Sequence, residues 1–342
     1  MKAAILVAQN TPLVVADVSA PALDVGQVLV KVEYSGICGK QLEEISGRRG
    51  EDRFLPHLLG HEGAGVVEEV GPGVRKVAAG DHVVLHWMKG SGIDASPPRF
   101  SLDGKTISAG WVTTFSEHTI VSENRVTPIP EDMPLDVAAL LGCAVTTGLG
   151  IVFNNAGLRP GQSIAVFGVG GLGLNVIQGA ALVSGYPIVA IDLIDSKLER
   201  AAEFGATHTL NSGRDDPHEF LMGLSDGNGF DATVDVTGNT SVRQTAYDST
   251  ANDGVTVFAG VPHHREQITI DSFPLHFGRK VIGSHGGDTR PDIDIPRCVR
   301  LYQQGKLKLA EQISARFALD DINEAVDVVR SGEAGRCLVS MW

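Results

Sequence analysis

The sequence predicts an α/β protein with two domains, one mostly β and the other a parallel sheet covered by helices. Its 342 residues exceed what one hydrophobic core usually supports. Up to about residue 145, short alternating apolar runs such as QVLVKVEYSG and GAGVVEEVGPGV lie between glycines and prolines, which is typical of a β unit. From Ser163 onward, apolar strands alternate with helical segments, which indicates a parallel sheet buried on both faces.

Between these two patterns, the stretch LDVAALLGCAVTTGLGIVFNNA has helical spacing. The strands of the parallel sheet are predicted in SIAVFG, PIVAID, DATVDVTG, GVTVFAGVP and KVIGSHGG. After about residue 285, an amphipathic helix is predicted in DIDIPRCVRLYQQG, then a further helix and a closing strand in LDDINEAVDVVRSGEAGRCLVSMW. The pattern alone does not indicate which domain this tail joins.

Composition excludes several classes of function. The formal net charge of -13 would repel a phosphate backbone, so no nucleic-acid partner is expected. No apolar run approaches the roughly 18 to 20 residues that cross a bilayer, and the chain starts with a strand pattern rather than a signal peptide. We therefore expect no membrane partner and a cytoplasmic protein. The four cysteines lie far apart and do not suggest a disulfide framework.

A glycine-rich turn lies between the first strand of the parallel sheet and the helix after it. The stretch AVFGVGGLG has the G-x-G-x-x-G spacing, with the candidate cofactor-binding residues Gly168, Gly170, Gly171, Leu172 and Gly173. The first glycine of the motif permits the turn, the second lets the backbone approach a pyrophosphate, and the third lets helix and strand pack closely. The context of strand, turn and helix favours a dinucleotide site over a turn without a ligand.

An acidic residue ends the next strand. Asp192 lies 19 residues beyond Gly173, where it can accept hydrogen bonds from an adenosine ribose and repel a 2'-phosphate. It therefore favours NAD over NADP, and a helix-capping aspartate is the alternative. Lys197 could reach the same ribose or be a solvated lysine on a helix.

Two cysteines and a histidine are candidate metal ligands. Cys38, His61 and Cys143 lie at the ends of apolar segments beside glycines, and Glu62 follows the histidine. Two thiolates and an imidazole form a sound set of three zinc ligands and leave a fourth position open. Because the three residues are scattered along the chain, a nucleophilic cysteine and two buried thiols remain alternatives.

Three stretches, GDHVVLHW, AALLGCAVTTGLG and AVFGVGGLGLNVIQGA, carry a family resemblance. The chain resembles the zinc-dependent medium-chain alcohol dehydrogenases over essentially its whole length, and looks most like their thiol-linked formaldehyde dehydrogenase branch. The resemblance implies a mostly-β, GroES-like catalytic domain formed by residues 1–146 and 286–342. It also implies a Rossmann coenzyme domain, which binds NAD, formed by residues 147–285.

The resemblance implies that Cys38, His61 and Cys143 bind a catalytic zinc ion, with Glu62 behind the metal or as a transient ligand. The implied reaction is hydride transfer between an alcohol or aldehyde and NAD, in which zinc lowers the pKa of the substrate hydroxyl or polarises a carbonyl.

The resemblance also implies roles around the substrate and the cofactor. Trp87 would line the substrate pocket, and Thr147 would lie by the nicotinamide. Val261 would contact the nicotinamide amide through its backbone, and Arg336 would approach the pyrophosphate. A homodimer or homotetramer is implied in the same way.

The chain departs from the family between Trp87 and Trp111. Relatives usually carry four clustered cysteines there that bind a structural zinc ion, whereas this chain has none in that stretch. We therefore expect one catalytic zinc ion, no structural zinc ion and a remodelled loop.

A second departure follows Cys38. Where relatives commonly have a serine or threonine that relays the substrate proton, this chain has Lys40, and Gln41 replaces an acidic residue. We hypothesise that Lys40, with Arg48 or Arg49, anchors an anionic group of the substrate, since arginine binds oxyanions bidentately. Lys40 could also act as a proton shuttle. A solvated loop in which these cations pair with neighbouring acidic residues is the alternative.

The leading interpretation is an NAD- and zinc-dependent alcohol dehydrogenase or aldehyde reductase that acts on a small molecule. A thiol-adduct formaldehyde dehydrogenase is the second interpretation. The third is a non-catalytic dinucleotide-binding protein, which would not need an open zinc site.

Overall fold

The computed structural model describes residues 1–48, 50–263, 265–332 and 334–342. The chain divides into two units, one formed by Met1–Ala144 with Arg290–Trp342 and the other by Val145–Thr289. Arg49, one of the candidate substrate-anchoring residues, lies outside the described residues.

Strands and helices follow one another along the chain. The strands, in chain order, are β1 (Lys2–Leu6), β2 (Val14–Asp17), β3 (Gln27–Gly36), β4 (His57–Leu58), β5 (Glu62–Val70), β6 (His82–His86), β7 (Arg99–Leu102), β8 (Lys105–Ser108), β9 (His118–Ser122), β10 (Val126–Pro128), β11 (Ile164–Phe167), β12 (Ile188–Asp192), β13 (His208–Asn211), β14 (Phe230–Asp235), β15 (Thr250–Phe258), β16 (Lys280–Gly283), β17 (Ile313–Ala318) and β18 (Arg336–Ser340).

The α-helices are α1 (Gly39–Ile45), α2 (Leu135–Ala139), α3 (Ala144–Gly150), α4 (Gly171–Leu182), α5 (Asp195–Glu203), α6 (Pro217–Leu224), α7 (Thr240–Asp248), α8 (Pro291–Gln303) and α9 (Ile322–Ser331). Short 3-10 turns cover Glu123–Arg125, Leu140–Gly142, Phe273–Phe277, Gly286–Asp288, Ala310–Gln312 and Leu319–Asp321, and a π-helical turn covers Ile151–Ala156.

The first unit is built around β3, which pairs antiparallel with β5, β9 and β18. One sheet has the strand order β10-β6-β5-β3-β18-β17, and another has the order β2-β1-β4-β8-β7. Val28, Val30 and Val32 of β3 are buried in one core, because alternate residues of a strand face the same side of the sheet. The pairing of β18 with β3 brings the C-terminal tail into the first unit. A mostly-β unit is therefore confirmed.

The stretch between Trp87 and Trp111 contains the antiparallel hairpin of β7 and β8. Glu123 joins the loop before this hairpin to the loop between β5 and β6. Its carboxylate accepts hydrogen bonds from the backbone N–H groups of Arg75 at 2.6 Å, Lys76 at 2.8 Å and Ile93 at 2.7 Å. Burial raises the pKa of this carboxyl group, but the three backbone donors outweigh it and lower the pKa below its ordinary value. A buried carboxylate thus holds these two loops together.

The second unit is a parallel sheet with the strand order β13-β12-β11-β14-β15-β16. Ile164 and Val166 of β11 lie in one core, whereas Ala165 and Phe167 lie in another. This alternation shows that both faces of the sheet are covered, as the uninterrupted apolar strands predict. The chain order reverses between β11 and β14, and the crevice at such a reversal is where doubly wound sheets bind ligands.

Within the described residues, no single helix is both long enough and apolar enough to cross a bilayer. The bent pair Leu135–Gly142 and Ala144–Ala156 meets the two criteria together, by length and composition only.

Candidate active site

Three ends of secondary structure bring Cys38, His61 and Cys143 together in the first unit. Cys38 precedes α1, His61 precedes β5, and Cys143 lies between a 3-10 turn and α3. Their ligand atoms all lie within 4.8 Å of one another, and His61 Nε2 is 3.3 Å from Cys143 Sγ. The structure thus brings together the three residues that the sequence offered as metal ligands.

The position of Cys143 follows from a break in the helical run that the sequence predicts. Its backbone, with φ -149° and ψ -74°, is not helical. A Cβ atom on the preceding Gly142 would lie 2.3 Å from the carbonyl oxygen of Leu85, so the chain runs too close to β6 for any other residue. The helix stops there, and the thiol of Cys143 is presented beside His61.

The thiols of Cys38 and Cys143 share a hydrogen bond, and each changes the pKa of the other. A hydrogen bond with Cys143 lowers the pKa of Cys38 well below its ordinary value, although burial opposes this. The same hydrogen bond, together with burial, raises the pKa of Cys143 well above its ordinary value. One proton therefore leaves readily and the other is held, because two adjacent thiolates repel each other.

A divalent cation would remove this repulsion. Two sulfurs and an imidazole nitrogen form a donor set that suits zinc. In a tetrahedral zinc site with bonds of about 2.0 to 2.3 Å, ligand atoms lie roughly 3.3 to 3.8 Å apart. The 3.3 Å between His61 Nε2 and Cys143 Sγ falls in this range, and all three ligand atoms lie within 4.8 Å of one another. The residues present therefore fit a zinc ion.

Glu62 and Arg336 form a buried ion pair next to the thiols. Neither side chain is more than 7% exposed, and a guanidinium nitrogen of Arg336 contacts Glu62 Oε1. Gly36 makes room for the pair, because a Cβ atom there would lie 2.8 Å from both side chains. Burial raises the pKa of Glu62. Burial lowers the pKa of Arg336, but the charges of Glu62, Cys38 and Cys143 and the hydrogen bond to Glu62 together outweigh burial and raise this pKa.

The Arg336 ion pair bears on its predicted cofactor role. The structure places its guanidinium against Glu62, and its Nε has no hydrogen-bond partner among the described residues. Its contact with a pyrophosphate stays a prediction.

The sequence marked Gln41 as a difference from the family but predicted no role for its side chain. It is 1% exposed, and its amide oxygen accepts a hydrogen bond from the backbone N–H of Cys38 at 3.0 Å. Its amide nitrogen lies 2.6 Å from Nδ1 of His61. The signal in the sequence was its place three residues into a helix after Cys38, where side chains fold back on the helix start.

The candidate substrate residues are placed as follows. Lys40 Nζ donates to Glu44 Oε1 at 2.8 Å, one helical turn along α1. Arg48 is exposed beyond the end of that helix. Trp87 is half-buried and directly follows His86, which pairs with Glu62 across β5 and β6. Trp87 and His61 therefore come next at the same end of these two strands.

The glycine-rich turn of the second unit has the shape that the sequence predicts. Gly168 has φ +92°, which favours glycine. A Cβ atom on Gly173 would lie 2.0 Å from the carbonyl oxygen of Gly168, so helix and strand touch. A Cβ atom on Gly170 would meet nothing within 4 Å. Gly171 and Leu172 start α4 and are half-buried. Open space therefore lies beside the start of α4, as a pyrophosphate requires.

Asp192 ends β12 next to this turn. Its carboxylate accepts hydrogen bonds from the backbone N–H groups of Val169 at 2.7 Å, Leu193 at 2.8 Å and Ile194 at 3.1 Å. Lys197 lies in the first turn of α5, half-buried. The carboxylate is thus fixed at the carboxyl edge of the sheet.

Two further cofactor candidates belong to the second unit. Val261 is 46% exposed beyond the end of β15. Thr147 is half-buried in α3, with its carbonyl oxygen close to Gly287. Their contacts with a nicotinamide stay predictions.

Comparison with known proteins agrees with this architecture. Residues 171–304 match the family described as Zinc-binding dehydrogenase, and residues 24–131 match the Alcohol dehydrogenase GroES-like domain. The two matches together define a zinc-type oxidoreductase with a coenzyme-binding unit and a GroES-like unit. The S-(hydroxymethyl)glutathione dehydrogenase of Paracoccus denitrificans is 34% identical over 371 residues, which cover 99% of each chain. The chain therefore belongs to the zinc-dependent medium-chain alcohol dehydrogenase family.

Solved structures show the same similarity. An alcohol dehydrogenase zinc-binding domain protein from Burkholderia ambifaria has a TM-score of 0.91 at 28% identity, covering 99% of this chain and 98% of that one. Benzyl alcohol dehydrogenase from Acinetobacter calcoaceticus has a TM-score of 0.91 at 26% identity, covering 100% and 99%. The predicted fold class, family and oxidoreductase class are confirmed.

The amide of Gln41 affects how well His61 can bind a metal ion. A histidine that binds a metal through Nε2 carries its proton on Nδ1 and donates it to a neighbour. Gln41 has one acceptor atom, which already serves the N–H of Cys38, whereas a carboxylate would accept from both donors. The amide therefore supports a metal-bound His61 less well than a carboxylate would.

We predict that Gln41→Glu tightens zinc binding by about tenfold, because the carboxylate accepts the Nδ1 proton of His61 without losing the Cys38 contact. Competition with a fluorescent chelator measures the zinc affinity. Gln267→Glu adds the same charge at an exposed position of the second unit and serves as the control. Equal affinities in wild type and Gln41→Glu would contradict this role.

Proposed function

We propose that this chain transfers a hydride between an alcohol or aldehyde and NAD(H), with one catalytic zinc ion and no structural one. The observation that carries the proposal is the convergence of Cys38, His61 and Cys143 within 4.8 Å. A protein that only binds a dinucleotide has no use for three metal ligands with an open fourth position. The family membership supports the reaction class.

Zinc bound by these residues would act as a Lewis acid toward the substrate oxygen, while NAD would accept the hydride. The side chains around the ligands fix their positions. Gln41 holds the ring of His61 and the backbone of Cys38, and the buried Glu62 and Arg336 close the space behind the thiols. Trp87 offers an apolar surface for the carbon chain of a substrate.

Cys143→Ser tests the catalytic zinc. Because a hydroxyl is a much poorer zinc ligand than a thiolate, we expect the zinc content to fall from one ion per chain and turnover to fall by more than about a hundredfold. Binding of NADH should persist, since the glycine-rich turn is unchanged. Metal analysis, NADH fluorescence titration and an assay of NADH formation measure the three quantities.

The control for this variant is Cys298→Ser, which makes the same exchange at a buried cysteine of α8 outside the candidate site. Burial raises the pKa of Cys298 to about 12, so this thiol stays protonated and inert. Wild-type protein that binds NADH but no zinc would favour the non-catalytic interpretation.

We also propose NAD rather than NADP as the cofactor. The support is Asp192, whose fixed carboxylate at the end of β12 would repel a 2'-phosphate. Asp192→Ala should raise the affinity for NADPH relative to NADH by about tenfold or more, because the repulsion is removed. Titration of wild type and variant with both reduced cofactors checks this. If wild type and Asp192→Ala have the same ratio of NADPH to NADH affinity, Asp192 does not determine which cofactor binds.

An anionic substrate is a further part of the proposal. Lys40 and Glu44 are 31% and 28% exposed, so a substrate carboxylate or phosphate could replace Glu44 as the partner of Lys40. Arg48 is exposed nearby in the sequence and could add a second contact. The ion pair with Glu44 also agrees with the alternative, a solvated loop whose charged side chains pair with one another. A kinetic test distinguishes this loop from a substrate anchor.

Lys40→Ala should raise the KM for carboxylate-bearing aldehydes by about tenfold and leave the KM for uncharged aldehydes unchanged, because only the former use the cation. Steady-state kinetics on matched pairs of charged and uncharged aldehydes measure the difference. Lys105→Ala, at an exposed lysine of β8, is the control. A parallel change for both substrate classes would discard the anchor.

The relative from Paracoccus denitrificans is named as an S-(hydroxymethyl)glutathione dehydrogenase, which favours a thiol adduct as a second candidate substrate. The same kinetic screen should therefore include this adduct. Faster turnover of the adduct than of simple alcohols would select that alternative.

We propose that the protein is a homodimer or homotetramer in which a second copy covers the edge strand β16. This strand is at the edge of its sheet, next to β15. Before it, Phe273 and Phe277 are 66% and 61% exposed, with ring centroids 5.0 Å apart. Phe273→Lys should lower the molar mass measured by light scattering, because it puts a charge into the apolar patch. An unchanged mass would place the contact elsewhere.

A further inference from the structure

Three turns meet at the carboxyl edge of the sheet in the second unit. A Cβ atom on Gly168 would lie 2.8 Å from Cγ2 of Thr237. A Cβ atom on Gly238 would lie 2.3 Å from the carbonyl oxygen of Val261, and one on Gly260 would lie 2.2 Å from the nitrogen of Gly238. Because there is no spare room between them, the position of each turn is set by its neighbour.

Asp235, the last residue of β14, holds two of these turns. Its fully buried carboxylate accepts hydrogen bonds from the Thr237 N–H at 2.8 Å, the Thr237 hydroxyl at 2.6 Å and the Gly238 N–H at 3.2 Å. Its carbonyl oxygen accepts from the N–H groups of Ala259 at 2.8 Å and Gly260 at 2.9 Å. One residue therefore fixes both the turn after β14 and the turn after β15.

Arg243 reaches the same point from α7. Its Nε donates to Asp235 Oδ2 at 3.0 Å, and a terminal guanidinium nitrogen donates to the carbonyl oxygen of Gly260. The guanidinium also lies 4.9 Å from the ring centre of Phe258. Its side chain is 11% exposed. The guanidinium thus bridges the carboxylate on one turn and the backbone of the next.

We infer that the ion pair of Asp235 and Arg243 positions the turn that carries Val261, and through it the nicotinamide end of the cofactor. This inference rests on the proposed NAD-dependent function. Arg243 is a positioning residue, since it acts through the backbone of Gly260. Without it, the buried carboxylate of Asp235 loses its counter-charge and the Gly260 carbonyl loses its donor, so the turn after β15 relaxes.

The test compares two ligands that differ only in the nicotinamide. In Arg243→Met, the Kd for NADH should rise by about tenfold, whereas the Kd for ADP-ribose, which lacks the nicotinamide, should stay within about twofold. Fluorescence titration gives the first Kd, and displacement of NADH or calorimetry gives the second. Arg243→Lys keeps a charge near Asp235 but has one nitrogen for two acceptors, so it should shift the same ratio by less.

The matched control is Asp231→Asn, at the amino end of the same strand. The Asp231 carboxylate accepts hydrogen bonds from the Ser163 N–H at 2.8 Å and the Ser163 hydroxyl at 2.6 Å. This variant should lower the melting temperature and leave the ratio of the two Kd values at the wild-type value. A merely structural role of Arg243 predicts the same behaviour for both variants.

A folded Arg243→Met or Arg243→Lys protein with the wild-type ratio of NADH to ADP-ribose affinity would overturn the inference, and so would an equal shift in Asp231→Asn. Should Arg243→Met not fold, the Arg243→Lys protein decides alone. Wild-type protein that binds neither ligand would overturn the proposed cofactor and, with it, the inference. Wild-type binding of both ligands with an unchanged ratio in the variants would overturn the inference alone.

Discussion

Two thiols placed side by side in a half-buried site cannot both ionise unless a cation lies between them. Cys38 and Cys143 are in this situation, since ionisation of the first raises the pKa of the second. The surrounding backbone keeps the sulfurs and His61 together by ending three elements of secondary structure at one point. The ligands are thus positioned before a metal binds, so little ordering entropy remains to oppose binding.

The C-terminal tail supplies the cation of the ion pair next to the thiols. Arg336 begins β18, which lies beside β3, and Glu62 begins β5 on the other side of β3. Two thiolates, one carboxylate, one guanidinium and a divalent cation together carry no net charge. Without the tail, the buried carboxylate of Glu62 would add an uncompensated negative charge to the thiolates.

The sequence predicted what depends on local pattern. Alternating strands in the first unit, continuous apolar strands in the second, the glycine-rich turn and Asp192 all follow from residues close together in the chain. Cys38, His61 and Cys143 were candidates, but their distance along the chain left other roles open until the fold brought them together. Gln41 and Arg243 were given no role, because the function of each depends on partners that only the folded backbone supplies, His61 for one and Gly260 for the other.

Each unit contains a buried ion pair beside its candidate site, Glu62 with Arg336 and Asp235 with Arg243. Removing two charges from water is costly, and well-packed apolar residues often give equal or better stability. We therefore interpret both ion pairs as interactions that hold the backbone in one arrangement, rather than as a main source of stability. Apolar contacts tolerate sliding, whereas a guanidinium bound to both a carboxylate and a carbonyl allows one relative position of the two turns. For Arg243 that position is the one in which Gly260 and Gly238 touch, so the ion pair fixes where Val261 presents its backbone.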